Sequence, residues 1–300
     1  MPPTSPSVLF SGSIQQNNGF LGGNVTTLDT GTNDLLARID GHVAVISFNR
    51  PQARNALSDA MYAGFGRVLP QLATDPNVRV VMVTGEGGAF CAGGDVKGFV
   101  SSHKADGGAP RQTSTESAVQ RLRTIQNQVS FALRRMPQPV VASFPGAAAG
   151  AGLSIGLAAD LRIAAERAII VTAFSNIGAS GDFGTSWFLP RIVGEAKAKE
   201  LMFLSPRLSA RDALAINMVN AVLPDEGYEQ AALEWCHDLA SRAPIALQHM
   251  KQNVNRSLDV SLEAGLDAEA VAMVRTMSTA DHREASAAFV EKRPARFTGS

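Results

Sequence analysis

VRVVMVTGEGGAFCAGGDVKG, residues 78–98, joins a near-continuous apolar run to a glycine-rich loop. The run VRVVMVTG lacks a polar face. A strand buried on both faces reads this way, and such strands belong to parallel sheets covered by helices. The glycines that follow permit positive φ and let backbone come close to a ligand. A loop leading towards a helix can aim free N–H groups at an anion. An ordinary glycine turn also fits these residues. A dinucleotide fingerprint does not, because no GxGxxG stands between a strand and a helix here.

Working outward, LLARIDGHVAVISFNR, residues 35–50, reads as two short strands joined at Asp40-Gly41, a good hairpin pair. Between it and the apolar run, Ser58 is a candidate cap for a helix with apolar Met61, Phe65, Val68, Leu69 and Leu72. Downstream, residues 101–117 carry glycine, serine and charge without a period and read as a mobile loop. Residues 118–135 predict a helix with Leu122, Ile125, Val129 and Leu133 on one side. PVVASF is a further strand, and LRIAAERAIIVT supplies two short ones. From 195 to about 290 the pattern is almost wholly helical, with Asp281 and Glu284 spaced like a capping box. Alternating strands and helices predict an α/β core with parallel strands. No repeat of fixed period is present.

The chain has 300 residues, 45% hydrophobic and 18% charged, an ordinary globular composition. Lys plus Arg and Asp plus Glu are 27 each, so no global field favours nucleic acid or an anionic membrane. A polyanionic ligand would need a local positive cluster. Two cysteines, Cys91 and Cys236, stand without metal spacing and suggest a reducing cytoplasm rather than a disulfide scaffold. No apolar run reaches the roughly 18 residues of a membrane-spanning helix. The first 37 residues hold no Lys or Arg, unlike a signal or transit peptide. Residues 1–34 read as a disordered tail, 35–230 as the core, and 231–300 as a helical region.

PGAAAGAGLSIGLAAD, residues 145–160, opens a helix with alanine and glycine only. It fits a close-packed helix, and it also fits a backbone donor for a carbonyl oxygen. Two such loops at one site would make an oxyanion hole, often the largest electrostatic contribution to enolate chemistry. NRPQARNALS, GAFCAGGDVKGF, PGAAAGAGL and the terminal AFVEKRPARF together resemble the enoyl-CoA hydratase/isomerase (crotonase) family, in that family's order, over residues 35–297. The resemblance implies a spiral of ββα units, a C-terminal helical trimerisation region, and trimers or dimers of trimers. It implies that the Gly94 and Ala151 N–H groups are the oxyanion donors, alanine replacing the usual glycine at the second. It implies that Ala53, Arg54, Ala56 and Leu57, with Ala92 and Gly94, Asp95, Val96 and Lys97, border the coenzyme A of an acyl thioester substrate. Arg54 or Lys97 would meet its phosphates. Phe289 and Lys292, as the terminal F-x-x-K, would reach coenzyme A on an adjacent subunit. No permanent cofactor or metal is implied.

Two departures bear on the reaction. Ser154 and Phe174 stand where hydratases of the family carry glutamates, and a serine is a poor group for activating water. Asp182, in FSNIGASGDFGTSWFLPRIVG, matches an aspartate used by the ring-opening enoyl-CoA isomerases of phenylacetate degradation and by 4-chlorobenzoyl-CoA dehalogenases. The dehalogenase pattern also needs a histidine on the long helix and a tryptophan at Phe174, and neither is present. Asp182 is therefore a candidate base, with Phe174, Phe183 and Trp187 as an apolar wall; a plain N-cap near Phe183 is the alternative. His103 is a minor accessory candidate. An enoyl-CoA isomerase using one carboxylate leads. An unconventional hydratase and a non-catalytic acyl-CoA binding protein are the alternatives.

Overall fold

The computed structural model describes residues 25–94 and 114–300. Its main sheet has the order β1-β2-β3-β4-β5-β7-β10. These strands are Thr26–Leu28, Leu35–Asp40, Val43–Phe48, Val80–Gly85, Val140–Phe144, Leu161–Ala165 and Ala221–Leu223. β1 to β3 run antiparallel, and from β3 to β10 the neighbours are parallel. A smaller sheet joins β6 (Ala148–Ala149), β8 (Ile169–Val171) and β9 (Leu208–Ser209).

β3 and β4 are apolar on both faces because both faces are covered. Ala44, Ile46, Phe48, Val81 and Val83 pack with Phe65, Val68 and Leu72 of α1 (Asp59–Thr74). Val43, Val45, Val80 and Met82 point the other way, as strand period demands, and pack with Tyr228, Ala232, Cys236 and Ala240. Those residues belong to helix Tyr228–Ala240. Ser58 caps α1, its Oγ accepting from Met61 N at 3.2 Å, and all five predicted apolar positions of α1 are buried.

Several boundaries differ from the sequence reading. The expected disordered tail, 1–34, contains β1, which pairs with β2, and Thr30, whose hydroxyl donates to Thr32 O and Leu35 O; residues 1–24 lie outside the described residues. The hairpin loop is Gly41-His42, since Asp40 pairs with Val43. Gly41 takes φ +56, which the first loop position of a tight hairpin of type II′ requires. The long helix, α2 (Thr115–Gln126), starts ahead of residue 118 on a Ser114 cap. It continues through a π-helical stretch, Asn127–Phe131, into Ala132–Arg135. Most of the expected mobile loop 101–117 lies outside the described residues. The region read as wholly helical is broken by β9 and by β10, which extends the main sheet. Asp281 and Glu284 form no capping box. Thr279 caps the last helix, Asp281 accepts from Thr298 N and Gly299 N, and Glu284 pairs with Arg293.

The terminal helices Pro244–Ser257, Leu262–Met277 and Ala280–Glu291 follow the core. Lys251 anchors the first of them. Its buried ammonium lies 2.6 Å from Asp160 and donates to Gln138 O at 2.8 Å. None of the described helices is long and apolar enough to cross a membrane.

Candidate active site

The two loops singled out in the sequence leave the carboxyl ends of β4 and β5, which are adjacent parallel strands. Ligands of open parallel sheets bind at such ends. The first loop, 86–94, is pinned by Asn55, whose Nδ2 donates to Glu86 O and Ala89 O while its Oδ1 accepts from Arg50 N. The loop then lies between two other segments. On one side Ala92 N donates to Arg54 O and Leu57 N donates to Gly93 O; on the other Ala149 N donates to Cys91 O. In a trans peptide the C=O of residue 93 and the N–H of residue 94 point in opposite directions. Since Gly93 O is held by Leu57, the Gly94 N–H turns towards the side of Ala149–Ala151.

The second loop enters α3 (Gly150–Leu157) with Ala149 as its N-cap. Alanine has no side-chain acceptor, so the second helical N–H, that of Ala151, is left without the partner a Ser or Asp cap would supply. Gly93 lets the loops meet: with φ +87, a Cβ there would lie 3.3 Å from Ala151 N and 2.8 Å from Ala149 O. Cys91 is buried beneath this junction. Its thiol donates to Asn55 O at 3.0 Å, and burial pushes it up to about 12, so it stays protonated.

Asp182 sits just ahead of α4 (Thr185–Val193). It does not cap that helix. Gly184 is the N-cap, without a side-chain bond, and the Asp182 contribution is its carbonyl, which accepts from Thr185 N and Oγ1. The carboxylate takes no part in that cap: its Oδ1 is buried with no hydrogen-bond partner among the described residues. Burial raises its pKa from 3.8 to about 6, because the charged form loses hydration without a compensating donor. The turn is fixed by Gln126, whose Oε1 accepts from Phe183 N at 2.9 Å. A second tie runs through hydroxyls. Thr185 Oγ1 contacts Ser154 Oγ, and Ser154 Oγ donates to Gly150 O at 3.1 Å. The helix bearing Ala151 and the turn bearing Asp182 are thus joined.

Of the predicted wall, Phe174 is buried beside Gly181, and Phe183 is buried and stacked on Tyr62 with ring centroids 5.7 Å apart. Trp187 is differently engaged: the Arg191 and Arg134 guanidiniums lie 3.8 and 5.4 Å from its ring centroid. Ala56 and Leu57 are buried, while Arg54 and Ala92 are exposed. Asp95, Val96, Lys97 and His103 lie outside the described residues. Phe289 is 86% exposed, and Lys292 ends the last helix with φ 54; neither side chain is brought to Asp182 by any recorded bond. Sequence reasoning missed Asn55 as the strut of the first loop, Thr185 as a tie and Tyr62 as the partner of Phe183. Asn55 stood inside a quoted motif; Tyr62 and Thr185 carried no sequence signal beyond their helices. Among the described residues no cluster of three or more His, Cys, Asp or Glu could hold a metal ion.

A family model described as enoyl-CoA hydratase/isomerase matches residues 38–300. The chain is 34% identical over 265 residues to 1,2-epoxyphenylacetyl-CoA isomerase of Escherichia coli, covering 88% of this chain and 98% of that one. It is 30% identical over 262 residues to short-chain-enoyl-CoA hydratase of Clostridium acetobutylicum, covering 87% and 96%. A solved enoyl-CoA hydratase from Polaromonas superposes with a TM-score of 0.80 at 32% identity, covering 88% of this chain and 99% of that one.

Proposed function

The chain belongs to the enoyl-CoA hydratase/isomerase family, and we propose that within it the protein shifts a double bond in an enoyl-CoA thioester with Asp182 as its single base. The thioester oxygen would lie between the Gly94 and Ala151 N–H groups. Asp182 would take a proton from a carbon next to the double bond. The electron pair of that C–H bond moves into a dienolate, whose oxygen the two N–H groups stabilise. The same carboxyl then returns the proton at the other end of the conjugated system. The segment from Ala53 to Leu57, with Ala92, would border the coenzyme A, and exposed Arg54 would meet a phosphate. Phe289 and Lys292 would serve a neighbouring subunit.

One observation carries this reading. Asp182 is a desolvated carboxylate whose Oδ1 has no partner among the described residues, while Ser154 and Phe174 fill the two positions where, by the family resemblance, a hydratase carries glutamates. One carboxylate suffices for a proton shift on one face. Orienting and deprotonating water while protonating carbon asks for more.

The test is a panel of 2-enoyl, 3-enoyl and aryl-acetyl CoA thioesters followed by absorbance and mass. Isomerisation leaves the mass unchanged. Addition of one water to the product would make the protein a hydratase, and tight binding without turnover would make it a binding protein. In heavy water the wild type should exchange acyl α- and γ-hydrogens, and Asp182→Asn should lose roughly 10²-fold or more of that exchange. Exchange undiminished in the variant would remove Asp182 from the mechanism.

A further inference from the structure

Tyr62 links the two halves of the site. Its helix begins directly after Leu57, whose N–H holds Gly93 O. Its ring stacks on Phe183, the neighbour of Asp182, with planes 24° apart. Phe183 adopts φ 49, a conformation unfavourable for a bulky residue, and its N–H is held by Gln126, so the partner of the stack is fixed rather than adaptable. The Tyr62 hydroxyl makes no hydrogen bond within the described residues, although the side chain is half-buried. Burial, then the nearby Asp182 carboxylate, push the phenol above its ordinary value of 10. It therefore remains protonated at neutral pH and can donate.

The hydroxyl is not among the buried unpaired polar atoms, so an acceptor arriving with a ligand can reach it, and the hydrogen bond it would make is worth having. The Asp182 carboxylate does not serve, because no hydrogen bond joins the two. The thioester oxygen is assigned to Gly94 and Ala151. On the reading above, the part of the ligand that faces Asp182, beside the Tyr62–Phe183 stack, is the acyl group. We infer that Tyr62 is a specificity residue whose O–H takes an oxygen on the acyl group, so that acyl chains bearing a hydroxyl, carbonyl or ether oxygen near the carbons facing Asp182 are preferred to plain hydrocarbon ones. This inference rests on the acyl-CoA reading of the site above and deepens it.

The test is calorimetric binding of two matched pairs, butyryl-CoA with 3-hydroxybutyryl-CoA and phenylacetyl-CoA with 2-hydroxyphenylacetyl-CoA, to wild type and Tyr62→Phe. The variant removes one oxygen and keeps the stack on Phe183. Its fold is checked by circular dichroism. In at least one pair the wild type should bind the oxygen-bearing member about tenfold more tightly, the scale of one hydrogen bond. In Tyr62→Phe that ratio should fall to about one. No preference in either wild-type pair, or a preference that survives in Tyr62→Phe, would overturn the inference; the first result would mean that water satisfies the phenol. Binding of none of the four would instead overturn the acyl-CoA reading, and this inference with it.

Discussion

The Asp182 carboxyl titrates near 6 instead of 3.8 because its charged form is poorly solvated. Between these values the folded chain holds a proton that the unfolded chain has lost, so stability falls as pH rises through the interval. Below 3.8 both states are protonated and nothing is lost. Above about 6 the loss is complete, at most about 3 kcal/mol for a displacement of this size. Asp182→Asn should therefore be more stable than wild type in urea denaturation at pH 8, with the gain vanishing near pH 4. The same titration should appear in turnover: a base must be ionised, so the wild-type rate should fall with a midpoint near pH 6 on the acid side. A stability difference that ignores pH would show that the carboxylate is hydrated. Gly94 makes the complementary point about backbone. Gly94→Pro deletes the N–H and should lower turnover about 10²-fold or more, while Gly94→Ala keeps the donor and should be milder; equal losses would point to sterics alone. Gly94, Ala151 and Asp182 could be singled out from sequence because each stands in a glycine-rich or small-residue stretch of recognisable order. Tyr62 could not. It neighbours Met61 on a helix whose pattern announces only a buried face, and its partner Phe183 is more than a hundred residues away.

At the level of elements, legibility followed length. β3, β4 and α1 are long enough for their burial pattern to repeat, and each was readable. β6 and β9 have two residues each, too few for any period. β1 is ordered by backbone pairing to the edge of β2, which a polar composition does not reveal. The contact between α3 and the Asp182 turn was equally hidden, because a serine and a threonine 31 residues apart give no pattern. Yet that contact ties the helix bearing Ala151 to the turn bearing Asp182. Thr185→Val removes the hydroxyl that meets both Ser154 Oγ and Asp182 O and keeps the branched shape. Small misplacements of reacting groups are costly in rate, so turnover should fall about tenfold while the fold by circular dichroism is retained, and Thr185→Ser should recover most of the loss. Wild-type turnover in Thr185→Val would show that the hydroxyls fill space and do not position the base.

For the whole molecule, the decisive feature is what the single chain leaves uncovered. Met250 and Val254 on one terminal helix and Leu258, its C-cap, recur every four residues and are 60%, 66% and 60% exposed. Leu262, Leu266, Met273, Val274 and Met277 continue the exposed apolar surface on the next. Residues at i and i+4 lie on one face, so these form stripes rather than scattered positions, the kind of surface that a subunit contact would cover. Each large side chain removed from water there contributes about 1.5–3 kcal/mol. Charge does not oppose association, since 27 basic residues balance 27 acidic ones. The family's trimers and dimers of trimers supply the expected stoichiometry. Light scattering at micromolar concentration should give three or six times 31.6 kDa. Because the surface is apolar, raising salt should not dissociate it, whereas screening would weaken an interface held by ion pairs. Val254→Glu combined with Leu262→Glu should lower the mass towards one chain by burying unpaired charge. If Phe289 and Lys292 serve a neighbouring site, that dissociated variant should also bind CoA thioesters more weakly. A wild type that runs as a single chain at these concentrations would refute the interface and leave Phe289 and Lys292 without a site to serve.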